Sequence, residues 1–353
     1  MTANAAAEII RPTADASGFE LNDAAFGTWL DELGIDCAAP FHVERVGIGQ
    51  SNLTFRITDG DNRRWVLRRP PLGRLLASAH DVAREARILA ALAPTDVPVP
   101  RVYGLRQEGE AALLLMEYVD GLVIDRPESA AGLAPHQRRT AGISLARTLT
   151  RIHAVDLTAT GLDDLASHKP YAPRQLKRWS AQWDRSKTRE LPALDRLTER
   201  LLAAVPEQRE IALVHGDYNI RNVITAPGTS AVAAVLDWEL STLGDPLADV
   251  GTLLAYWPAP GEPTFAGLEM CNLPGFPSRD ELVDEYLDRT GRDRKALSYW
   301  HTLAVWKLAV IAEGVLRRIV DDPRNRAVAG APTAELVDGL VDTAHRIASD
   351  AGL

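Results

Sequence analysis

Cysteine is almost absent from this 353-residue chain: Cys37 and Cys271 stand far apart and fit no metal-ligating or redox spacing. They read as buried thiols of a reducing compartment. Positive charge is also short. The 39 Lys and Arg face 48 Asp and Glu, a formal net charge of -9, which argues against a general nucleic-acid binder. Long apolar runs are missing too. The best candidate, Leu303 to Leu316, is broken by Lys307 and Glu313, and nothing approaches the ~18 uninterrupted apolar residues of a membrane span. Residues 1–20 carry Asp15 and Glu20 and lack the basic-then-apolar order of a signal peptide. No internal repeat or low-complexity tract is evident. Together these absences predict a soluble, cytoplasmic protein with no membrane partner.

What is present is enough apolar material, 46% of the residues, for two packed lobes. Residues 1–20 read as a flexible arm. From Phe41 to Val119 the pattern is mostly strand: 42–46, 53–58 and 64–69 alternate, with a hairpin turn at Asp59-Gly60-Asp61-Asn62. A helix is predicted from about Ser78, with Asp81 completing a capping box, to Ala93. Strands at 102–105 and 111–118 follow. The expected first lobe, residues 1–119, is a five-stranded antiparallel sheet carrying one helix. The second lobe, 120–353, reads as mainly helical with a small β insert at 211–240, so the fold class is α+β. Helical patterns recur at 135–155, 173–190, 191–205, 278–290, 295–319 and 333–349.

The β insert carries the densest polar cluster. His215-Gly216-Asp217-Tyr218-Asn219-Ile220-Arg221-Asn222 is followed fifteen residues later by Asp237 in Val235-Leu236-Asp237-Trp238-Glu239. Four polar side chains at the ends of two very apolar strands are a heavy load for a mere turn. Transfer of a phosphoryl group from Mg-ATP to a hydroxyl needs such a set: one carboxylate for the hydroxyl proton, and an amide oxygen with a second carboxylate for the metal. Asp217 is the candidate catalytic base, and Asn222 and Asp237 are the candidate Mg²⁺ ligands. His215 reads as a hydrogen-bonded structural residue, because Ile211 to Val214 reads as a buried strand. Asn219 and Asp249 read as bracing residues. Glu239, on the same strand face as Asp237, assists through a water or serves the acceptor side. Asp245, just before Pro246, reads as a helix N-cap.

Three other segments add to this. Val46-Gly47-Ile48-Gly49-Gln50-Ser51-Asn52 lets backbone approach a ligand closely, with Ser51 and Asn52 as phosphate donors; a plain hairpin turn is the alternative. In 64–69, Val66 and Arg68 share one face. Glu85 shares a helix face with Val82 and Leu89, and a carboxylate there is costly unless paired. Arg68 is its natural partner; a surface Glu packing only its methylenes is the alternative. Leu113 to Gly121 is an apolar strand ending in a polar turn, able to offer main-chain groups near Met116, Glu117 and Val119 to an adenine edge.

Taken together, these residues resemble the aminoglycoside phosphotransferase and choline-kinase-like superfamily, which shares the protein-kinase-like fold. The resemblance implies ATP and Mg²⁺ as cofactors and a small-molecule hydroxyl as acceptor. It places Arg68 where the fold carries a phosphate-gripping lysine, and the exchange is not conservative because Arg forks differently. Gly216, where protein kinases have Arg, and the lack of an Ala-Pro-Glu motif after Asp237 point to small-molecule kinases. Val66 to Pro71 and the run from Arg174 to Trp183 are similar to the kinase-like domains attached to some acyl-CoA dehydrogenases. That subgroup implies a hydroxylated, acyl-CoA-like acceptor.

Residues 169–189 hold seven basic residues and only Asp184 as an acidic one. This excess favours an anionic acceptor over a cationic aminoglycoside or choline, with Lys177, Arg178 and Trp183 as candidate acceptor residues. A solvated helix face is the plain alternative, and a nucleotide-binding pseudokinase is the reading from another class.

Overall fold

The computed structural model describes residues 9–12, 19–46, 52–70, 81–108, 111–322 and 331–353. The chain divides into two compact units, Met1–Asp120 and Gly121–Leu353.

The first unit is built on a five-stranded antiparallel sheet. Its strands are β3 (His42–Val46), β4 (Leu53–Thr58), β5 (Arg64–Arg69), β6 (Val102–Glu108) and β7 (Ala111–Glu117), in the order β3-β4-β5-β7-β6. Alternation decides which side chains meet which helix. Phe55, Ile57, Trp65, Leu67, Leu113 and Leu115 point to one face and pack with Phe26, Trp29 and Leu30 of helix α1 (Asp23–Glu32). Arg68, one position out of phase with Leu67, meets helix α2 (Val82–Leu92) instead.

The hairpin turn forms around buried Asp59, which accepts the N–H groups of Ala38, Asp61 and Arg63 at 2.8–3.0 Å. Two expectations change here. The described part of the supposed arm is ordered: β1 (Ile10–Pro12) pairs antiparallel with β2 (Phe19–Leu21), because Ile9 is fully buried in the core. The N-cap of α2 is Asp81, whose carboxylate accepts the Arg84 N–H at 2.9 Å; Ser78 lies outside the described residues. Cys37 is only half-buried, at the end of α1's loop, whereas Cys271 is buried and its thiol is pushed up to about 12.

The second unit is mainly helical: α3 (Pro127–Ala131), α4 (Pro135–Ile152), α5 (Tyr171–Ser186), α6 (Pro192–Ala203), α7 (Leu247–Ala255), α8 (Arg279–Thr290), α9 (Arg294–Asp321) and α10 (Ala334–Asp350). Every residue of α7 is buried, so this helix is the centre of the unit. It crosses α9 closely: a Cβ on Gly251 would stand 2.4 Å from the Trp300 carbonyl oxygen. Two short antiparallel ladders make the β insert, β8 (Ala212–Val214) with β11 (Thr242–Gly244), and β9 (Val223–Thr225) with β10 (Val232–Val235). No helix among the described residues is long and apolar enough to cross a membrane.

Candidate active site

The polar cluster sits on the turns that leave β8 and β10. The fully buried β8 ends at His215, whose N–H donates to Asp249 Oδ2 at 2.7 Å. The Gly216 N–H donates to the other oxygen of the same carboxylate at 2.8 Å. Asp249, on the first turn of α7, is wholly buried. Burial alone would raise its pKa, but hydrogen bonds from His153 and the Gly216 N–H, with the nearby His215, hold the carboxyl below its usual range.

His215 has its tautomer set by its neighbours. Its Nε2 faces the Leu236 carbonyl at 2.9 Å and must carry the hydrogen, while Nδ1 accepts the Asp217 N–H at 3.3 Å. Both ring nitrogens are therefore committed, and the ring ties the β8 turn to the β10 turn. Gly216 has φ +86°, and a Cβ there would lie 2.6 Å from the Leu240 carbonyl oxygen. Glycine is the residue that satisfies both conditions.

The loop continues as a tight structure around Asp217. Its carbonyl accepts from Asn219 Nδ2 and from Asn222 Nδ2, both at 2.9 Å. Asn222 Nδ2 also donates to Asp217 Oδ2 at 3.0 Å. That double engagement fixes which end of the amide is nitrogen, and leaves Oδ1 as its remaining acceptor. The Asn222 carbonyl accepts the Leu236 N–H at 2.8 Å, which brings Asp237 to the same place. Asp237 holds the left-handed conformation, φ 66° and ψ 60°, at the exit of β10. Aspartate tolerates that region better than most residues.

Asp217 itself is partly exposed. Burial raises its carboxyl pKa and Asp237 adds to the rise, against the opposing pull of Lys307, His215 and Asn222. At the end of α7, burial first and then the neighbouring Asp217 carboxylate hold the Tyr256 hydroxyl well above its ordinary pKa.

Among the described residues no group of three or more His, Cys, Asp and Glu side chains could hold a metal. A hard cation such as Mg²⁺ does not need one. It takes one or two protein carboxylates and completes its shell with phosphate and water. Asn222 Oδ1 and the Asp237 carboxylate are hard oxygen donors of that kind, so the residues fit.

Against known proteins, residues 42–299 match the phosphotransferase enzyme family (APH). The chain belongs to this family. The mouse acyl-CoA dehydrogenase family member 10 is 36% identical over 327 residues, covering 91% of this chain and 30% of that protein. The rat acyl-CoA dehydrogenase family member 11 is 34% identical, covering 91% of this chain and 42% of that protein. The chain thus spans less than half the length of these curated relatives. A solved structure from Ralstonia eutropha JMP134, provisionally assigned as an aminoglycoside phosphotransferase, has TM-score 0.76 and 30% identity and covers 93% of this chain and 98% of that one. The fold is kinase-like.

Around this turn stand several residues that sequence reasoning passed over. Lys307, on α9, donates to the Gly216 carbonyl at 2.9 Å and stands 5.3 Å over the Trp179 ring. Burial lowers its pKa, against the pull of Asp217 and Asp249. Its signal was present: one lysine within an apolar helix, read only as an interruption. His153 bridges Asp249 at 3.3 Å and Tyr286 at 2.8 Å, and Tyr256 caps the C-terminal end of α7. No local pattern marks these two.

Other candidates are redistributed. Glu239 lies on a 3-10 turn, Trp238–Leu240, and the left-handed Asp237 removes the shared strand face assumed for the two. Trp183 is 3% exposed and packs in the core, so it cannot meet an acceptor; Trp179, one turn earlier, is the half-exposed one. Of the seven basic residues in 169–189, Lys187 pairs with Glu190 and Arg189 with Asp338, while Arg174 donates to the carbonyls of Lys169 and Leu243. Lys177 and Arg178 are exposed and ion-pair with no carboxylate among the described residues; Arg178 lies 5.5 Å over Trp179.

In the first unit Arg68 Nη1 and Glu85 Oε1 form a buried ion pair at 2.8 Å. Asn52 and Met116 are buried, and Val66 and Val119 are half-buried. Ser51 lies outside the described residues. The Glu117 N–H donates to the Arg101 carbonyl at 2.8 Å, so that backbone donor is already engaged within the unit.

Proposed function

We propose that this phosphotransferase is an ATP- and Mg²⁺-dependent kinase acting on a hydroxyl of a small molecule. The anchoring of Asp217 carries the reading. Its turn is fixed by Asp249 at two backbone N–H groups and by Lys307 at the Gly216 carbonyl, while its own carboxylate stays partly exposed beside Asn222.

A loose phosphoryl-transfer transition state asks for positioning more than for a strong base. Asp217 would accept the hydrogen bond of the acceptor hydroxyl, aim its oxygen, and take its proton as the new bond forms. The upward displacement of its pKa by burial suits a group that must hold that proton. Asn222 through Oδ1 and Asp237 would hold Mg²⁺, which when bound neutralises phosphate charge. In the first unit Arg68, held by Glu85, would grip phosphate, with Asn52, Val66, Met116 and Val119 serving the nucleotide.

The acceptor is read as an anionic, hydroxyacyl-CoA-like metabolite. Exposed Lys177 and Arg178 support this, as do relatives named for acyl-CoA dehydrogenation. A cationic aminoglycoside or choline would meet these cations rather than carboxylates.

Acceptor-dependent ADP release with Mg²⁺ tests the proposal, run on hydroxyacyl-CoA, sugar alcohol, aminoglycoside and choline acceptors. Asp217→Asn should lower turnover by about 10²–10⁴-fold with Mg-ATP affinity largely kept, whereas Asp237→Ala should lose metal-dependent nucleotide binding. Nucleotide binding with no turnover on any acceptor would instead identify a pseudokinase.

A further inference from the structure

Away from the catalytic turn, a groove of about 340 Å³ opens between α4 and the β9–β10 hairpin. On its helical wall Arg139, Ile143, Arg147 and Arg151 recur every fourth residue, and Thr140, Ser144 and Thr148 form the adjacent row. Ala231 and Val232 make the other wall. Residues four apart stack along one side of a helix, so three guanidiniums and the hydroxyl row face one channel.

The guanidiniums are held rather than neutralised. Arg139 Nη1 donates to Glu281 at 2.7 Å and Arg147 Nε donates to Glu285 at 2.7 Å, both carboxylates coming from α8. Each contact uses one of five donors and leaves the rest of the fork available. Exposed pairs of this kind contribute little energy, but they reduce the freedom a ligand would have to freeze out. Glu285 is shared with Arg289 at 2.5 Å, so three guanidiniums share two carboxylates. Arg151 is exposed and ion-pairs with no carboxylate among the described residues. In a chain of net charge -9 this is a local positive site.

The apolar wall matters as well. Inorganic phosphate would occupy only part of such a volume, and ligand pockets start at roughly 300 Å³. We propose that this groove is a second ligand site, which binds a soluble organic molecule bearing a phosphate or pyrophosphate group. The arginine row takes the anion by forked hydrogen bonds, and Ile143, Ala231 and Val232 cover the organic part. The helix that carries the arginine row also touches the 215–222 loop: the Tyr218 hydroxyl donates to the Leu145 carbonyl of α4 at 3.0 Å.

Titration calorimetry with pyrophosphate on the full chain tests this. Arg147→Gln with Arg151→Gln should weaken binding at least about tenfold, as expected for losing charge-assisted contacts. Ala231→Phe, which leaves the charges in place and fills the channel, should do the same. Asp237→Asn, on the catalytic turn, should leave groove binding intact. The expected pattern is loss in both groove variants with wild-type unfolding midpoints. Binding that survives both groove variants and disappears in Asp237→Asn would overturn the site, as would no binding by the wild type at about 10 mM. Capture on vesicles bearing phosphorylated headgroups, without binding of free pyrophosphate, would overturn the soluble ligand.

Discussion

Replacing Asp249 by Asn removes one proton-accepting oxygen from the middle of the second unit. The carboxylate now accepts two backbone N–H groups, from His215 at 2.7 Å and Gly216 at 2.8 Å, with full burial. An amide keeps a single acceptor oxygen and turns its NH₂ toward the other N–H. One charge-assisted bond is lost, about 1.5–3 kcal/mol, and one buried donor is stranded, about 1–3 kcal/mol. The expected loss for Asp249→Asn is about 3–5 kcal/mol, similar to breaking a buried ion pair. Six of the eight tryptophans lie in the second unit, so their fluorescence follows its urea unfolding. The midpoint at pH 7 should fall by about 1–2 M at unchanged slope. The folded pKa of Asp249 is depressed, so its stabilisation is present above the unfolded carboxylate pKa and is lost as pH falls through the folded value. The gap between wild type and variant should therefore close in acid. Turnover should also fall about 10²-fold, because the turn that positions Asp217 is released. A midpoint shift below about 0.3 M, or a gap that stays constant into acid, would refute the anchoring argument.

Three other outcomes follow from the same reasoning. Gly216→Ala adds a Cβ 2.6 Å from the Leu240 carbonyl at φ +86°, and should cost about 2 kcal/mol or more, read by thermal unfolding. Asp245, whose carboxylate accepts the Leu247 N–H at 2.9 Å, is raised by burial from an ordinary 3.8 to about 6. A raised folded pKa means stability is fully present below the unfolded value and is lost as pH rises through 6, so Asp245→Asn should gain up to about 3 kcal/mol at pH 7. That variant should also flatten the pH dependence of the unfolding midpoint between 4 and 6; an unchanged profile would sink the assignment. In the first unit, Glu85→Leu should destabilise by about 3–5 kcal/mol by leaving Arg68 buried beside an apolar group, and adding Arg68→Met should recover most of that loss.

Much of this was legible in sequence because it depends on short-range periodicity. Alternation over 53–58 and 64–69 placed Leu67 and Arg68 on opposite faces of the sheet, and the helix spacing of Val82, Glu85 and Leu89 put a carboxylate on an apolar face. Those two local facts were enough to pair Arg68 with Glu85, since a buried charge needs a partner. The spacing of Asp217 and Asn222 likewise set one small turn, and the structure closes it with a 3.0 Å hydrogen bond.

What sequence could not supply was any relation between distant segments. Lys307 reaches the Gly216 carbonyl from 91 residues away, and His153 reaches Asp249 from 96. Trp179 and Trp183 share one helical stripe, and only the packing of α5 buried one and left the other half-exposed. Glu239 was placed on Asp237's face by strand alternation, which fails once a single residue turns left-handed. The amino-acid order by itself determined the α+β division, most of the element types and the polar residues gathered at 215–222 with 237. Tertiary structure alone decided which charges stand behind that turn, because burial and hydrogen-bond satisfaction belong to the assembled unit rather than to any window of the chain.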